Sequence, residues 1–472
     1  MKQLTMLIAA ASLAACAIGP DYVRPKTQVA GEFHGAQEAT YKAGAPVVEF
    51  WRTFDDPVLT LLIDDALRAN TDLRVAVARL DQARAITRQS RLDLFPTVTA
   101  EGGYTRERAS AAQAPGVPRD QRDVNLDHAA TDVSWELDLF GRVRRNVEAS
   151  RADASAIAAD LQALQVSVAA EVARNYFELR GAQEQLRVAQ RNADNQRKTL
   201  ELTQDRLDAG RGTEFDTSRS RAELESTLAR IPALEATIAT AMHRLAVLDG
   251  RQPGELNARL QAPVALPALP QTVAVGTPNE LLRRRPDIQA AERRLASATA
   301  RVGVATADLF PRVTFGGSVG VSATNLGDLF TRDGENYAFG PAISWVFLDL
   351  GRVRARISAA DASSQANLAS YEGTVLRALE EAENALVAYS RAQREGEHLK
   401  ESAVASQSAA KLADIRFEGG ASDFLQVLDA QRSELQAEDQ LAQSQTRTAV
   451  ALVAVYKSVS GGWPQRTLAS KE

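Results

Sequence analysis

Residues 142–209 read RVRRNVEASRADASAIAADLQALQVSVAAEVARNYFELRGAQEQLRVAQRNADNQRKTLELTQDRLDA, and this stretch decides the fold. It contains no proline and a single glycine, Gly181, and good helix formers fill most of it. Its larger apolar residues recur at intervals of three or four, as they do on one face of a helix or a coiled coil. A helix of this length would extend roughly 100 Å at about 1.5 Å per residue. No compact domain can bury such a helix, so we expect a bundle, a fibre or a tube.

The same kind of stretch occurs a second time, at 352–418, again without proline. Gly141 and Gly351, which precede the two stretches, stand 210 positions apart, and other landmarks keep nearly the same spacing. The paired landmarks are LDLFGRVR (137–144) and FLDLGRVR (347–354), Trp135 and Trp345, and DLFP at 93–96 and 308–311. One unit has therefore been duplicated, with the first copy expected at 49–250 and the second at 281–460.

Each copy also contains two segments in which apolar side chains alternate with small or polar ones. The four predicted strands are 97–108, 125–138, 312–322 and 336–347. A soluble half-buried sheet would show the same alternation. Membrane-spanning strands also need about 9–11 alternating residues with aromatic side chains at the interface, and these segments fit. The predicted interface aromatics are Tyr104, Trp135, Tyr337 and Trp345. Pro341 lacks a backbone N–H, so we expect a bulge or a sheet edge there.

Four strands are too few to close a barrel, because about eight are needed even for one filled with side chains. An open sheet edge in lipid would leave backbone groups without hydrogen-bond partners. If the strands span a membrane, several chains must share one barrel, and three chains would supply twelve strands. The expected fold class is then mainly α with a membrane β part: a trimeric α-helical barrel of long coiled-coil hairpins, with a shared 12-stranded β-barrel.

Each long helix leads into a glycine-bearing turn and a shorter returning helix. The predicted long helices are 142–209 and 352–418, and the returning helices are 214–249 and 423–459. We expect Pro232 to interrupt the first returning helix. A proline-rich connector at 251–280 separates the copies, and a tail at 461–472 ends the chain. The run Arg-Arg-Arg-Pro-Asp at 283–287 starts the second copy, and a solvated basic helix start is expected there rather than a ligand site.

The N-terminus predicts an exported, lipidated protein. Residues 1–15 carry Lys2 and an apolar segment too short to span a membrane, which indicates a signal peptide. It ends in Leu-Ala-Ala before Cys16, the only cysteine, which matches a bacterial lipobox; the alternative is a chance cysteine. A diacylglycerol on the thiol and an amide-linked acyl chain would anchor the protein stably. Residues 16–48 are then a lipidated extended segment, and Ala17 permits sorting to the outer membrane by resemblance to Gram-negative lipoproteins.

Composition narrows the functional classes. The net charge of −5 over 472 residues argues against a nucleic-acid partner. Four scattered histidines and one cysteine leave no credible metal cluster, and no catalytic constellation is visible. We therefore expect neither an enzyme nor a cofactor other than the covalent lipid on Cys16.

Taken together, these features resemble the outer-membrane efflux protein family of the TolC type, in particular its lipoprotein branch that serves resistance-nodulation-division (RND) pumps. The matching segments cover nearly the whole chain and are Cys16 with GPDY (19–22), FW (50–51) with FDDP (54–57), LLRRRPDI (281–288), both LFP stops and VLDAQR (427–432). The resemblance implies a homotrimer in the outer membrane that extends into the periplasm. It also implies docking to a periplasmic membrane-fusion adaptor and to an RND-type inner-membrane pump.

The working part of such a duct is the mouth of its helical tunnel. The turn glycines are expected to rim the periplasmic entrance, and they are Gly210, Gly212, Gly419 and Gly420. The resemblance places the narrowest point at Leu425 and Asp429, where three copies of Asp429 would form an acidic ring that favours cations. The alternative is that Asp429 is a solvated residue that faces outward.

The closed state should be held by ties between the helix tips. Asp216 is the expected acceptor, with Arg416 or Arg219 as the donor. Phe417 and Ser422 stand where some family members have a tyrosine and an arginine, so those members' ties are expected to be absent.

The resulting expectation is the exit duct of a tripartite efflux system: a passive channel for drugs or other small solutes, gated at its periplasmic tip. Two alternatives remain at this point, a type I secretion exit duct and a periplasmic coiled-coil lipoprotein without a pore. A secreted enzyme on a helical scaffold is disfavoured by the scattered histidines and the lack of a glycine-rich phosphate loop.

Overall fold

The computed structural model describes residues 17–36, 40–42, 44–270 and 272–459. Cys16 and the predicted signal peptide at 1–15 lie outside the described residues, as does the predicted tail at 461–472. The four predicted strands and both helical hairpins lie inside them.

The first copy contains two short helices, two long strands and a helical hairpin. Strand β1 (Tyr41–Lys42) precedes it, and its own elements in chain order are α1 (Pro57–Ala69), α2 (Thr71–Leu92), β2 (Thr97–Arg108), β3 (Asp123–Leu137), α3 (Arg142–Asp208) and α4 (Glu214–Leu248). The 67-residue helix α3 begins at the residue that its sequence pattern predicts. Helix α4 runs without a break through Pro232, so the expected interruption is wrong. Proline removes one intrahelical hydrogen bond, and the nearest buried residues, Thr227 before it and Ile238 after it, hold the helix against its neighbours on either side.

The second copy repeats this order after the connector. The connector contains α5 (Asn257–Leu260) and β4 (Val273–Ala274), and the elements that follow are α6 (Pro278–Arg284), α7 (Pro286–Ala307), β5 (Arg312–Ala323), β6 (Glu335–Ser344), α8 (Leu350–Glu418) and α9 (Phe424–Val459). Strand β6 ends three residues before the predicted position 347, and α8 starts two residues before the predicted position 352. Trp345 and Phe347 therefore lie just beyond the strand rather than in it.

The four long strands form one antiparallel sheet in the order β2-β3-β5-β6. Strands β3 and β5 join the two copies, with Trp135 opposite Phe315. Pro341 also lies opposite Phe315, on β6, and the register on both sides of it is continuous. Of the two outcomes expected at Pro341, the sheet edge is the one observed and the bulge is not. Among the residues that the structure describes, β2 and β6 each pair on one side only, so both are edge strands of this sheet.

The chain forms two compact units, and each draws on both copies. The described parts of Met1–Lys26, Arg79–Ala158 and Ala290–Glu372 form the first unit, which contains the four-stranded sheet. The described parts of Thr27–Ala78, Ala159–Gln289 and Gly373–Glu472 form the second. The predicted boundaries at 49–250 and 281–460 therefore describe the duplication and not the packing, because strands and helices of one copy pair with those of the other.

An aromatic cluster builds the core of the second unit. The ring of Phe50 stacks on that of Tyr456 with centroids 5.2 Å apart, and Phe54 packs edge-on against Phe177 at 4.9 Å. Asp56 caps α1 by accepting hydrogen bonds from Val58 N and Leu59 N, and its second oxygen accepts one from Tyr176 Oη at 2.6 Å. The Phe-Asp-Asp-Pro motif is therefore a helix start tied to α3.

The Arg-Arg-Arg-Pro-Asp run has a structural role that its sequence did not indicate. The third arginine, Arg285, is buried rather than solvated. Its guanidinium donates to Asp287 at 2.7 and 3.0 Å, to Glu381 Oε2 at 2.7 Å and to the carbonyl of Ser458 at 3.0 Å. The expectation of a solvated helix start is therefore wrong for Arg285, which ties α6 to α8 and α9.

Candidate gate at the hairpin turns

Helices α3 and α8 end in the same left-handed glycine cap. Gly210 has φ +71° and Gly420 has φ +74°, a region that side-chain-bearing residues rarely adopt. In each turn the glycine N–H and the following N–H return to carbonyls in the last turn of the helix. These bonds run from Gly210 to Leu207 (2.9 Å), Arg211 to Arg206 (2.7 Å), Gly420 to Phe417 (3.0 Å) and Ala421 to Arg416 (2.8 Å). Gly210 and Gly420 are therefore required for the same reason, which is the left-handed backbone conformation that ends each long helix.

Each returning helix starts at a side-chain cap. The hydroxyl of Thr213 accepts from Asp216 N at 3.3 Å and donates to Asp216 Oδ2 at 2.7 Å. In the second hairpin Asp423 Oδ1 accepts from Leu425 N at 3.3 Å. Gly212 leaves room for the reversal, since a Cβ there would lie 2.9 Å from a backbone nitrogen of α3. Both chain reversals are therefore encoded locally.

A small apolar core lies inside the second turn. Phe417 and Phe424 are buried with ring centroids 5.2 Å apart, and Val427 and Leu428 complete the cluster. Arg206, at the end of α3, places its guanidinium 3.8 Å from the centre of the Phe417 ring and donates from Nη2 to the Phe417 carbonyl at 3.1 Å. A cation–π contact of this kind contributes about 1 kcal/mol. This contact ties the two hairpins together where a tie between ionised groups was expected.

The predicted gate residues occupy two different settings. Leu425 and Asp429 are exposed and lie one turn apart on the same face of α9. The Asp216 carboxylate is hydrogen bonded within the α4 cap, and in the described part of the chain it forms no ion pair with Arg416 or Arg219. The expected tie is therefore not formed within this chain, and the gate roles of these residues remain predictions.

Further along α9 from the Phe417–Phe424 cluster, a layer of polar side chains contacts α3 and α8. This layer was not predicted from the sequence. Gln431 Nε2 donates to Thr199 Oγ1 on α3 at 3.0 Å and to Asp414 Oδ1 on α8 at 3.2 Å. Two turns along α9, Glu438 accepts from Asn192 Nδ2 at 3.1 Å and pairs with Arg191. A cavity of about 410 Å³ adjoins Gln431 and Asp414.

Glu434 lies between these two groups on α9. Burial, and then the neighbouring carboxylate of Glu438, raise the pKa of Glu434 to about 7, although Arg191 opposes the change. Burial also raises the pKa of Asp414, against the opposing hydrogen bond from Gln431. The layer can therefore change charge near neutral pH. Its sequence signal was polar residues at helical spacing on the same face as Val427 and Leu435.

The four predicted interface aromatics fall into two pairs: the tyrosines are exposed on strands, and the tryptophans are hydrogen bonded to helix ends. Tyr104 and Tyr337 are 60% and 74% exposed on the edge strands β2 and β6. The indole N–H of Trp135 donates to the Leu94 carbonyl, and that of Trp345 to the Leu309 carbonyl, both at 3.0 Å. The tryptophans thus fasten the ends of β3 and β6 to the two Leu-Phe-Pro stops, a duplicated contact. Placement of all four residues at a membrane interface remains a prediction.

Comparison with known proteins agrees with this geometry over most of the chain. The model of the family described as outer membrane efflux protein matches residues 62–251 and 277–461. The chain is 32% identical to outer membrane protein OprJ of Pseudomonas aeruginosa over 464 residues, covering 98% of this chain and 96% of that protein. It is also 32% identical to nodulation protein T of Rhizobium leguminosarum bv. trifolii over 425 residues, covering 89% of each.

The fold is shared with solved channels. The structure of the outer-membrane channel OprN superposes with a TM-score of 0.89 at 44% identity, covering 95% of this chain and 100% of OprN. The strands, the long hairpins and the glycine turns thus occur in a chain that is related to outer-membrane channels along nearly its full length. The chain therefore belongs to the outer membrane efflux protein family, with the α-helical barrel and β part of its channels.

Proposed function

We propose that three copies of this chain form the outer-membrane exit duct of a tripartite efflux system. The trimer is a passive channel without enzymatic activity, and it receives drugs or other small solutes from an RND-type inner-membrane pump through a periplasmic membrane-fusion adaptor. It opens and closes at the hairpin turns.

The observation that carries the proposal is the four-stranded sheet with two unpaired edges. Strands β2 and β6 each have a partner on one side only within the chain. On β6 the apolar residues Tyr337, Phe339 and Ile343 are 74%, 71% and 72% exposed in the single chain. Lipid would cover such side chains, but it cannot satisfy the free backbone groups of the strand edges. Pairing of β6 with β2 of the next copy satisfies both requirements, and three copies close a twelve-stranded barrel.

Cys16 supplies the lipid anchor in this proposal. The free thiol of Cys16 would receive a diacylglycerol, and signal peptide cleavage before Cys16 would free its amino group for acylation; these chains include palmitate. Mass spectrometry of the N-terminal peptide tests the modification directly. A mature protein whose peptide begins at Cys16 and carries no lipid would refute it.

Leu425 and Asp429 form the constriction in this proposal. They are exposed in the single chain and share one face of α9, so that in a trimer they can point towards the axis. Three carboxylates on one ring would attract cations and repel anions.

Conductance in planar bilayers tests the channel, and a matched pair of variants tests the sheet. Phe339→Lys places a charge on the apolar face of β6, where it costs about 2–4 kcal/mol in the middle of a bilayer. Ala338→Lys places the same charge on the opposite face. We expect heat-modifiable trimers and ion conductance for the wild type and for Ala338→Lys, and loss of trimers for Phe339→Lys.

The outcomes separate the alternatives. A coiled-coil lipoprotein without a pore would give no conductance, and both lysine variants would behave alike. A type I secretion duct would conduct, but deletion of its gene would leave susceptibility to drugs, dyes and metals unchanged. Lower resistance to such compounds after deletion, restored by the wild-type gene, is the result that we expect.

A further inference from the structure

Arg145 binds the segment that follows Cys16. It lies in the first turn of α3, and its side chain is only 5% exposed. Nε donates to the Ile18 carbonyl at 3.2 Å, and Nη2 lies 2.7 Å from Asp21 Oδ1 and 3.3 Å from the Gly19 carbonyl. Its Nη2 is also 3.5 Å from the Ala17 carbonyl, and Nη1 donates to Glu148 at 2.8 Å. A guanidinium has five N–H donors in a fixed fork, and here most of them serve the N-terminal segment.

The N-terminal segment lies so close to α7 and to the start of α3 that two of the contact positions have no room for a side chain. Gly303, on α7, approaches Gly19 so closely that a Cβ on Gly19 would lie 2.4 Å from the Gly303 Cα. A Cβ on Gly141 would lie 2.6 Å from the Cα of Ala17, and Ile18 N donates to the Phe140 carbonyl at 3.2 Å. A glycine inside a helix lowers helix stability by about 1 kcal/mol relative to alanine. The close approach of the N-terminal segment explains why a glycine stands at position 303.

A second contact holds the segment a few residues further on. Tyr22 Oη donates to Glu292 Oε1 at 3.0 Å, and Arg24 lies 3.2 Å from the other oxygen of Glu292. Arg293 places its guanidinium 5.3 Å from the centre of the Tyr22 ring. The Glu292 side chain is only 8% exposed, so this anchor is also built into the surface. Residues 17–24, which we name the strap, are therefore fixed at both ends.

We infer that Arg145 is the positioning residue for the lipidated N-terminus: it binds the strap at the junction of β3 and α3, so that the acyl chains of Cys16 are delivered beside the foot of the sheet. The inference rests on the proposed lipidation of Cys16. A buried guanidinium whose main partners are three carbonyls and one carboxylate of the strap would lose most of its hydrogen bonds if the strap left. The strap therefore stays bound, and its first residue, Ala17, directly follows Cys16 in the sequence.

Limited proteolysis of the full-length, membrane-derived protein tests the clamp. Chymotrypsin can cut after Tyr22 only when the strap leaves the surface, because the Tyr22 side chain is held by Glu292. We expect Arg145→Gln to be lipidated and sorted as the wild type is, to be cut after Tyr22 at least about tenfold faster, and to yield fewer heat-modifiable trimers. Loss of one charge-assisted hydrogen bond already corresponds to a change of about tenfold. The matched control is Arg151→Gln, an exposed arginine on α3, for which we expect the wild-type rate.

A second variant decides the question if Arg145→Gln does not accumulate. The Asp21 side chain is 85% exposed, so Asp21→Asn removes the negative charge from the hydrogen bond to Arg145 without disturbing the core. We expect a severalfold faster cut after Tyr22 in this variant. Wild-type cleavage rates in both variants would overturn the inference. If Arg145→Gln does not accumulate, a wild-type rate in Asp21→Asn alone would overturn it. This readout is independent of conductance, so a chain that forms no channel can still show a working clamp.

Discussion

Replacement of Glu434 by glutamine should abolish a pH dependence of the helix packing near the hairpin turns. Burial and the carboxylate of Glu438 raise the pKa of Glu434 from 4.5 to about 7. Since the folded chain holds this proton more tightly than the unfolded chain does, the contribution to stability is present below pH 4.5 and is lost as the pH rises through 7. Glutamine keeps the shape of the side chain and carries no charge at any pH.

The magnitude follows from the displaced pKa. A carboxyl whose pKa rises from 4.5 to about 7 costs up to roughly 3 kcal/mol more to ionise in the folded chain than in water. Glu434 is partly exposed, so solvent screens much of this cost, and we expect about 1 kcal/mol. A local opening equilibrium in α9 should therefore be about fivefold more populated above pH 8 than below pH 4.5 in the wild type.

Amide hydrogen exchange of peptides from residues 424–440 measures this opening, after correction for the intrinsic pH dependence of exchange. We expect protection in Glu434→Gln to change little between pH 4.5 and pH 8.5. Glu201→Gln, an exposed glutamate on α3, is the matched control and should keep the wild-type profile. If Glu434→Gln retained the full wild-type pH dependence, ionisation of Glu434 would not be its cause and the argument would fail.

Three further changes test other parts of the structure. Asp429→Ala should lower the cation preference of the channel severalfold in planar bilayers, because it removes the proposed carboxylate ring, and an unchanged preference would refute the ring. Arg206→Gln removes the cation–π contact and the hydrogen bond to Phe417; it should weaken the closed tip by about 1 kcal/mol and sensitise cells to vancomycin, and unaltered sensitivity would show that this contact does not hold the gate. Asp249 is buried, and burial followed by the charge of Asp65 raises its pKa to about 7. Asp249→Asn should therefore raise the free energy of unfolding by about 1–2 kcal/mol at pH 8 but not at pH 4, as measured by thermal unfolding at the two pH values. Equal effects at both pH values would contradict this assignment.

The elements could be predicted from the sequence because their causes are local. The start of α3 at Arg142 and the turns at Gly210 and Gly420 follow from helical periodicity and from the φ values that glycine allows. Alternation indicated the four strands in the same way, to within three residues at each end. The place of Leu425 and Asp429 on one face of α9 also followed from their spacing of four.

The uses of individual charged side chains could not be predicted in this way. Arg285 read as one of three solvated arginines, and only the packing of α6 against α8 and α9 surrounds it with acceptors. Asp216 read as one half of an ion pair, whereas the cap of α4 engages its carboxylate. The tryptophans were predicted to be membrane-interface aromatics, which stays a prediction, and the sequence did not indicate that their N–H groups fasten strand ends to helix ends.

Local sequence patterns are enough to predict a duplicated chain of long hairpins and alternating strands, since periodicity and turn chemistry act over a few residues. The contact of Arg145 with Asp21, 124 positions before it, and that of Glu438 with Arg191, 247 positions away, appear only when the chain is folded. Such pairs depend on which helix faces lie together, and that is set by the burial of apolar surface over the whole chain rather than by any local pattern.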